Sequence, residues 1–110
     1  MNHLRITTRP DGPRVVLVAD GELDAASSDL LRAAFEEVVQ AGQHTVVDVS
    51  ALTFCDSSSL RLLLSLRDRC AAGGGRLVLA GARGVLARLL HITGLNRAFV
   101  LAESVEAAAC

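Results

Sequence analysis

The sequence predicts an α/β fold in one domain, residues 1–110, built from a β-hairpin and then strands that alternate with helices. Three observations carry this. The chain has 110 residues, 51% of them hydrophobic, enough for one sizeable core and unlike a disordered chain. Short apolar runs at Arg14–Ala19, Thr45–Val49 and Arg76–Ala80 suit strands of a sheet covered on both faces. Between those runs, apolar residues recur at helical spacing. Strands separated by helices pair in parallel through right-handed crossovers, so the expected order is β-β-α-β-α-β-α-β-α.

Taken in order, His3 to Thr8 alternates in character, as a short edge strand does. Pro10-Asp11-Gly12-Pro13 is a turn, because proline fixes φ and glycine permits a positive one. Arg14–Ala19 returns as the second arm of the hairpin and ends at Asp20-Gly21-Glu22-Leu23-Asp24. Ser27 stands where a helix N-cap belongs, and Asp29 would face the positive end of the helix dipole. Leu31, Ala34, Phe35, Val38 and Val39 form the apolar stripe of that helix, and Gly42 closes it. The strand Thr45–Val49 follows.

A second helix starts after Asp56 and stops at Gly73-Gly74-Gly75. Its residues Leu60, Leu62, Leu63, Leu64, Leu66, Cys70 and Ala71 spread over an arc of roughly 200°, where a surface helix needs only ~100°. The helix is therefore either heavily buried or presents surplus leucine to a partner. Arg67 lies within the apolar arc, either snorkelling along it or touching a partner. Arg76–Ala80 is a strand, a third helix starts at about Gly84, and Gly94-Leu95-Asn96 is a turn. Ala98–Leu101 reads as the last strand and Ser104–Ala109 as a short terminal helix.

Composition removes several classes of function. The formal net charge is −1, with no run of basic residues, three Phe and no Trp or Tyr. That is neither the electrostatic footprint nor the stacking surface of a nucleic-acid binder. The chain contains no lysine, which removes Schiff-base catalysis and the lysine of a phosphate loop. Cys55, Cys70 and Cys110 have no metal-ligand spacing, and His3, His44 and His91 lie far apart in sequence, so neither metal nor cofactor is expected. An odd cysteine count with no signal peptide points to a reducing cytosol. No apolar run approaches the ~20 residues that span a bilayer, so the expected protein is cytoplasmic and not membrane-bound.

The informative stretch is the junction Asp56-Ser57-Ser58-Ser59, where a strand hands over to a helix. Such junctions carry the working groups of parallel α/β folds. A hydrolase with Ser57 as nucleophile would need a base, an oxyanion site and a Gly-x-Ser-x-Gly elbow, and none is legible. Asp56 as the phosphoacceptor of a receiver domain would need a later lysine. The triple glycine runs from helix to strand, opposite to a phosphate loop, and Gly81-Ala82-Arg83-Gly84 is a short turn. Two readings stay open for Ser57: a helix cap shared with Asp56, or a phosphorylation site in the field of a helix N-terminus, with Asp56 and Asp24 repelling the added charge.

Gly21-Glu22-Leu23-Asp24, followed by Val46-Val47-Asp48-Val49-Ser50-x-Leu52-Thr53-Phe54-x-Asp56-Ser57-Ser58, resembles the STAS-domain anti-sigma factor antagonists of bacteria. Gly74-Gly75-Arg76-Leu77-Val78-Leu79 and Thr93-Gly94-Leu95 continue the pattern over nearly the whole chain. The resemblance implies a STAS-like domain with a mixed, mostly parallel sheet and about four helices packed mainly on one side. It implies no catalysis and no cofactor in this chain. The partner is an anti-sigma factor serine kinase that supplies the ATP, and the antagonist is a monomer or weak dimer. Carried over, Ser57 is the phosphoacceptor, Asp24, Asp56, Ser58 and Ser59 surround it, and Leu60, Leu64 and Arg67 belong to the docking face. Phosphorylation releases the kinase, which then holds its sigma factor. Alternatives are a STAS interaction module that is not phosphorylated, and a small-ligand or nucleotide binder using the loops at Asp24, Asp56 and Gly81. The chain departs from the family at Ser59, where glycine is usual. Glycine there lets a partner backbone approach closely, whereas a serine side chain weakens docking, shifts recognition or offers a competing hydroxyl.

Overall fold

A computed structural model describes residues 3–108. The order is β1 (Leu4–Asp11), β2 (Arg14–Leu23), α1 (Ser28–Val38), β3 (His44–Cys55), α2 (Ser57–Ala72), β4 (Leu77–Ala80), α3 (Gly84–Thr93), a 3₁₀ turn at Leu95–Arg97, and β5 (Val100–Ala102). The strands form one sheet in the order β1-β2-β3-β4-β5, with β1–β2 antiparallel and each later pair parallel. The expected mostly parallel sheet is thus corrected to a mixed one. The antiparallel pair runs the whole length of β1, from Leu4↔Gly21 to Asp11↔Arg14, whereas β3–β4 spans only Thr45↔Leu77 to Asp48↔Ala80.

Period-2 alternation along the strands divides the core between the two faces of the sheet. Leu17, Ala19, Leu23, Val47, Val49, Leu77 and Leu79 face a core that includes Leu31 and Phe35 of α1, Leu63 and Leu66 of α2, and Leu86 and Leu90 of α3. Val16, Val46, Val78 and Ala80 face the other way, against Val105 and Ala108 of the C-terminal segment. The helices therefore cover one face, and a short irregular strap covers part of the other.

That strap replaces the expected fourth helix: among the described residues there are three α-helices, and 105–107 form a turn. Ala109, the last residue of the expected helix, lies outside the described residues. The cause is tertiary. Arg14 donates from Nη1 to the Ala108 carbonyl at 2.8 Å and from Nη2 to the Val105 carbonyl at 3.2 Å, while its Nε bonds Asp11 at 2.7 Å. Alanine's helix propensity is a weak prior, a few tenths of a kcal/mol per residue, and such contacts override it.

β2 and β3 both run past the points where their apolar runs end, to Leu23 and Cys55 rather than Ala19 and Val49. Backbone pairing does not require apolar side chains. Register shifts between Val18 and Asp20 and between Gly21 and Glu22 carry the pairing through this polar stretch. Gly21, at φ +115°, has no substitute, since a Cβ there would lie 1.9 Å from the His3 carbonyl oxygen. The extension delivers Asp24 and Asp56 to one end of the sheet. α1 ends at Val38, before Gly42, because Val39 already turns to extended backbone. The triple glycine ends α2 as expected. A side chain at Gly75 would meet the Gln43 carbonyl at 2.1 Å, so close packing of two backbones, with no phosphate, accounts for it.

Candidate functional site

The leucine surplus of α2 is spent inside the domain. Leu60, Leu62, Leu63, Leu66 and Cys70 are buried, Leu64 is half-buried, and Arg61, Ser65, Asp68 and Arg69 are exposed. Arg67 turns toward its own domain: Nη1 donates to the Ala98 carbonyl at 2.7 Å, Nη2 pairs with Asp68 at 2.7 Å, and the guanidinium lies 5.9 Å from the centre of the Phe99 ring. Of the three expected docking residues, Leu60 lies in the core, Arg67 is half-engaged there, and Leu64 reaches the surface in part.

At the end of β3, Asp56 is the N-cap of α2 and has extended backbone. Its Oδ1 accepts the Ser59 N–H at 3.1 Å, while the Asp56 N–H donates to Ser59 Oγ at 3.2 Å, a reciprocal capping box. The Ser59 hydroxyl also donates to the Leu23 carbonyl of β2 and has no solvent exposure. It therefore offers no competing hydroxyl at the surface, contrary to one of the expectations for it. Ser58 donates to Asp56 Oδ1 at 2.6 Å and is half-buried. Ser57, the first residue of α2, is exposed, and among the described residues its hydroxyl has no hydrogen-bond partner. Burial would raise the Asp56 pKa, but hydrogen bonds from Ser58, from the Ser59 backbone and side chain, and from the Ala25 N–H hold it below the usual carboxylate range. Burial, aided by the Asp56 charge, pushes the neighbouring Cys55 thiol up to about 11.

A second box lies beside the first. Asp24 Oδ1 accepts the Ser27 N–H and the Ser27 hydroxyl, each at 3.0 Å, and the Asp24 N–H donates to Ser27 Oγ at 3.0 Å. Ser27 Oγ also lies 2.9 Å from the Glu22 carbonyl of β2. Ser27 occupies the N-cap position of α1 but makes no side-chain cap there; it is buried and closes the turn before the helix. The Ala25 N–H of this box helps to hold the Asp56 pKa down. Sequence reasoning missed this pairing, although the repeated spacing Asp24-x-x-Ser27 and Asp56-x-x-Ser59 signals it.

The remaining candidates do not join this cluster. His44 opens β3 and Cys55 closes it, so that histidine lies at the opposite end of the strand from Ser57. The turn at Gly81–Gly84 packs on β3 through Arg83 Nε, which donates to the Ser50 carbonyl at 2.9 Å. Among the described residues, no group of three or more His, Cys, Asp and Glu side chains could hold a metal ion, and no helix is long and apolar enough to cross a membrane.

Fold and site together define a small mixed-sheet α/β domain whose strand ends carry an acidic, hydroxyl-rich surface next to a helix N-terminus. The chain belongs to the STAS domain family, whose model matches residues 4–108. It is 31% identical over 83 residues to an anti-sigma F factor antagonist of Paenibacillus polymyxa, covering 74% of this chain and 71% of that one. The crystal structure of an anti-sigma factor antagonist from Mycobacterium paratuberculosis superposes with a TM-score of 0.83 at 26% identity, covering 94% of this chain and 88% of that one. The Bacillus cell fate determinant SpoIIAA in its phosphorylated form has the same fold, with a TM-score of 0.71 at 22% identity and 93% and 94% of the two chains covered.

Proposed function

We propose that this chain is an anti-sigma factor antagonist that binds an anti-sigma factor serine kinase and is switched off by phosphorylation at Ser57, so regulating sigma-factor-dependent transcription. The observation that carries this is Ser57 itself, at the first position of α2, exposed and with a hydroxyl unbonded among the described residues. Relatives named as antagonists, and a fold neighbour described in a phosphorylated form, support the same reading. The protein acts by binding, not by catalysis, in the cytoplasm and as a monomer or weak dimer; the kinase brings the ATP.

In the transfer, Ser57 Oγ attacks the γ-phosphorus of ATP. The Oγ–P bond forms, the bond from that phosphorus to the oxygen bridging to ADP breaks, the serine proton passes to a basic group of the kinase, and ADP leaves. The product carries about −1.5 to −2 charges at the N-terminus of α2. The helix dipole tolerates that charge, and Asp24 and Asp56 repel it, so the surface becomes more negative and more strongly hydrated while the fold stays intact. Docking uses the surface around Ser57, Ser58, Asp24 and Leu64, with exposed Phe54 adding apolar area beside it. Leu60 and Arg67 contribute from beneath by fixing α2.

Incubation with an anti-sigma serine kinase and ATP, followed by mass spectrometric mapping, tests the reading. Phosphate is expected on Ser57, and its absence there from a chain that the kinase binds refutes the switch. Ser57→Asp is expected to weaken kinase binding and Ser57→Ala to preserve it; equal affinities count against the proposal.

A further inference from the structure

Helix α2 carries three arginines, and two of them have an acidic partner. Arg67 pairs with Asp68, and Arg69 pairs with Glu36 of α1. Arg61 is exposed and, among the described residues, makes no hydrogen bond or ion pair. Its position on the helix explains this. The neighbours of a helical side chain stand three and four residues away. For Arg61 these are Ser57, Ser58, Leu64 and Ser65, none of them acidic. Ser58, Arg61 and Ser65 line one side of a groove between α1 and α2, and Asp29 on its other side is already paired with Arg32. The carboxylates at the strand ends, Asp24 and Asp56, are engaged by the N–H and hydroxyl donors of their own boxes.

A phosphate on Ser57 supplies the acid that Arg61 lacks. Helical side chains slant toward the N-terminus, so Arg61 covers the turn that begins at Ser57. Cβ atoms four residues apart lie about 5–6 Å from each other, within the combined reach of a phosphoserine and an arginine. The order is also the favourable one, with the anion N-terminal to the cation.

We propose that Arg61 receives the phosphate of phosphorylated Ser57 in an ion pair along the first turn of α2, a contact that the unmodified chain does not make. The inference rests on the reading of Ser57 as phosphoacceptor and adds where the new charge is held. Asp56 precedes Ser57 and repels the phosphate, whereas Arg61 follows one turn later and attracts it, so both draw it along the helix. Phosphorylation then changes the docking surface twice. It adds about −1.5 to −2 charges, and it withdraws a cation that stood open to a partner.

The test uses chains with phosphoserine incorporated during translation at position 57, so that no kinase is needed, and compares wild type, Arg61→Gln and Arg88→Gln. Arg88, exposed on α3, gives the same loss of charge on another helix. Phosphorus NMR follows the second ionisation of the phosphate, near pH ~6. Arg61 favours the dianion, so wild type and Arg88→Gln are expected to bind the last phosphate proton about twofold more weakly than Arg61→Gln, roughly the strength of one exposed ion pair at this spacing. The Arg61 Nε–H resonance is expected to move when the phosphate is present. Equal titrations of wild type and Arg61→Gln, a shift from Arg88→Gln as large as that from Arg61→Gln, or an unmoved Nε–H resonance each overturn the inference and leave the proposed function standing. Unmodified wild type is incubated in parallel with an anti-sigma serine kinase and ATP. A chain that this kinase binds without phosphorylating Ser57 overturns the kinase reading, while the titration alone decides the ion pair.

Discussion

At the end of β2, Asp24 and Ser27 close a box in which the aspartate accepts from the serine N–H and the serine Oγ accepts from the aspartate N–H. At the end of the neighbouring parallel strand β3, Asp56 and Ser59 make the same bonds, and each serine Oγ also lies against a carbonyl of β2. The boxes differ in what they enclose. Asp24 and Ser27 enclose two alanines, and Asp56 and Ser59 enclose two serines. One local device thus builds a corner with two alanines after β2 and a corner that displays the exposed Ser57 hydroxyl after β3. The comparison separates the frame from what it displays: Asp and Ser at the ends of each box hold the backbone, and the residues between them determine what a partner meets.

The largest expected effect comes from breaking the frame on which both corners depend. Asp56→Ala removes the acceptor for the Ser58 hydroxyl and for the Ser59 N–H and hydroxyl. With several hydrogen bonds lost at once, urea unfolding should show a destabilisation of about 2–3 kcal/mol, against about 1–2 kcal/mol for Asp24→Ala. Equal losses would mean that the boxes are independent.

Next, Ser27→Ala and Ser59→Ala should each cost about 1–2 kcal/mol by the same measurement, since each removes a buried hydroxyl with the same partners. A near-zero cost at Ser59 alone would break the equivalence of the two.

A pH series sharpens the comparison further. The native state holds the Asp56 carboxyl below its usual range, so the unfolded chain binds that proton first as the pH falls. The stabilisation from this group is fully present above the ordinary carboxylate pKa and is lost as pH drops through the lower folded value. Asp56→Asn should therefore flatten the acid limb of the stability curve relative to wild type, measured by thermal melts from neutral pH downward.

The smallest effect belongs to the displayed residue. Ser57→Ala should change stability by less than about 0.5 kcal/mol, because the side chain is exposed and makes no hydrogen bond among the described residues. A larger loss would make Ser57 part of the frame.

Much of this architecture is readable along the chain. The hairpin, the alternation of strands and helices, the triple-glycine stop and the Asp56–Ser57 junction all follow from local periodicity and turn chemistry, which neighbouring residues decide among themselves. Of the two readings of Ser57, the structure corrects the cap, because the capping bonds fall on Asp56 and Ser59. Among the described residues the Ser57 hydroxyl has no hydrogen-bond partner, and it is exposed.

What only the tertiary structure decides are the questions whose answer lies on another element. Whether the leucines of α2 serve the core or a partner depends on the sheet beneath them, and Leu60, Leu62, Leu63 and Leu66 are buried there. Arg67 turns inward because the Ala98 carbonyl and the Phe99 ring are within its reach. The alanine-rich end forgoes its helix because Arg14, more than ninety positions earlier, holds its carbonyls over the sheet. Ser59, indistinguishable in sequence from the two serines before it, is buried because the Leu23 carbonyl at the end of β2 accepts its hydroxyl. Helix and strand patterns are set over a few residues of chain, whereas burial and hydrogen-bond partners are set by whatever the fold brings alongside.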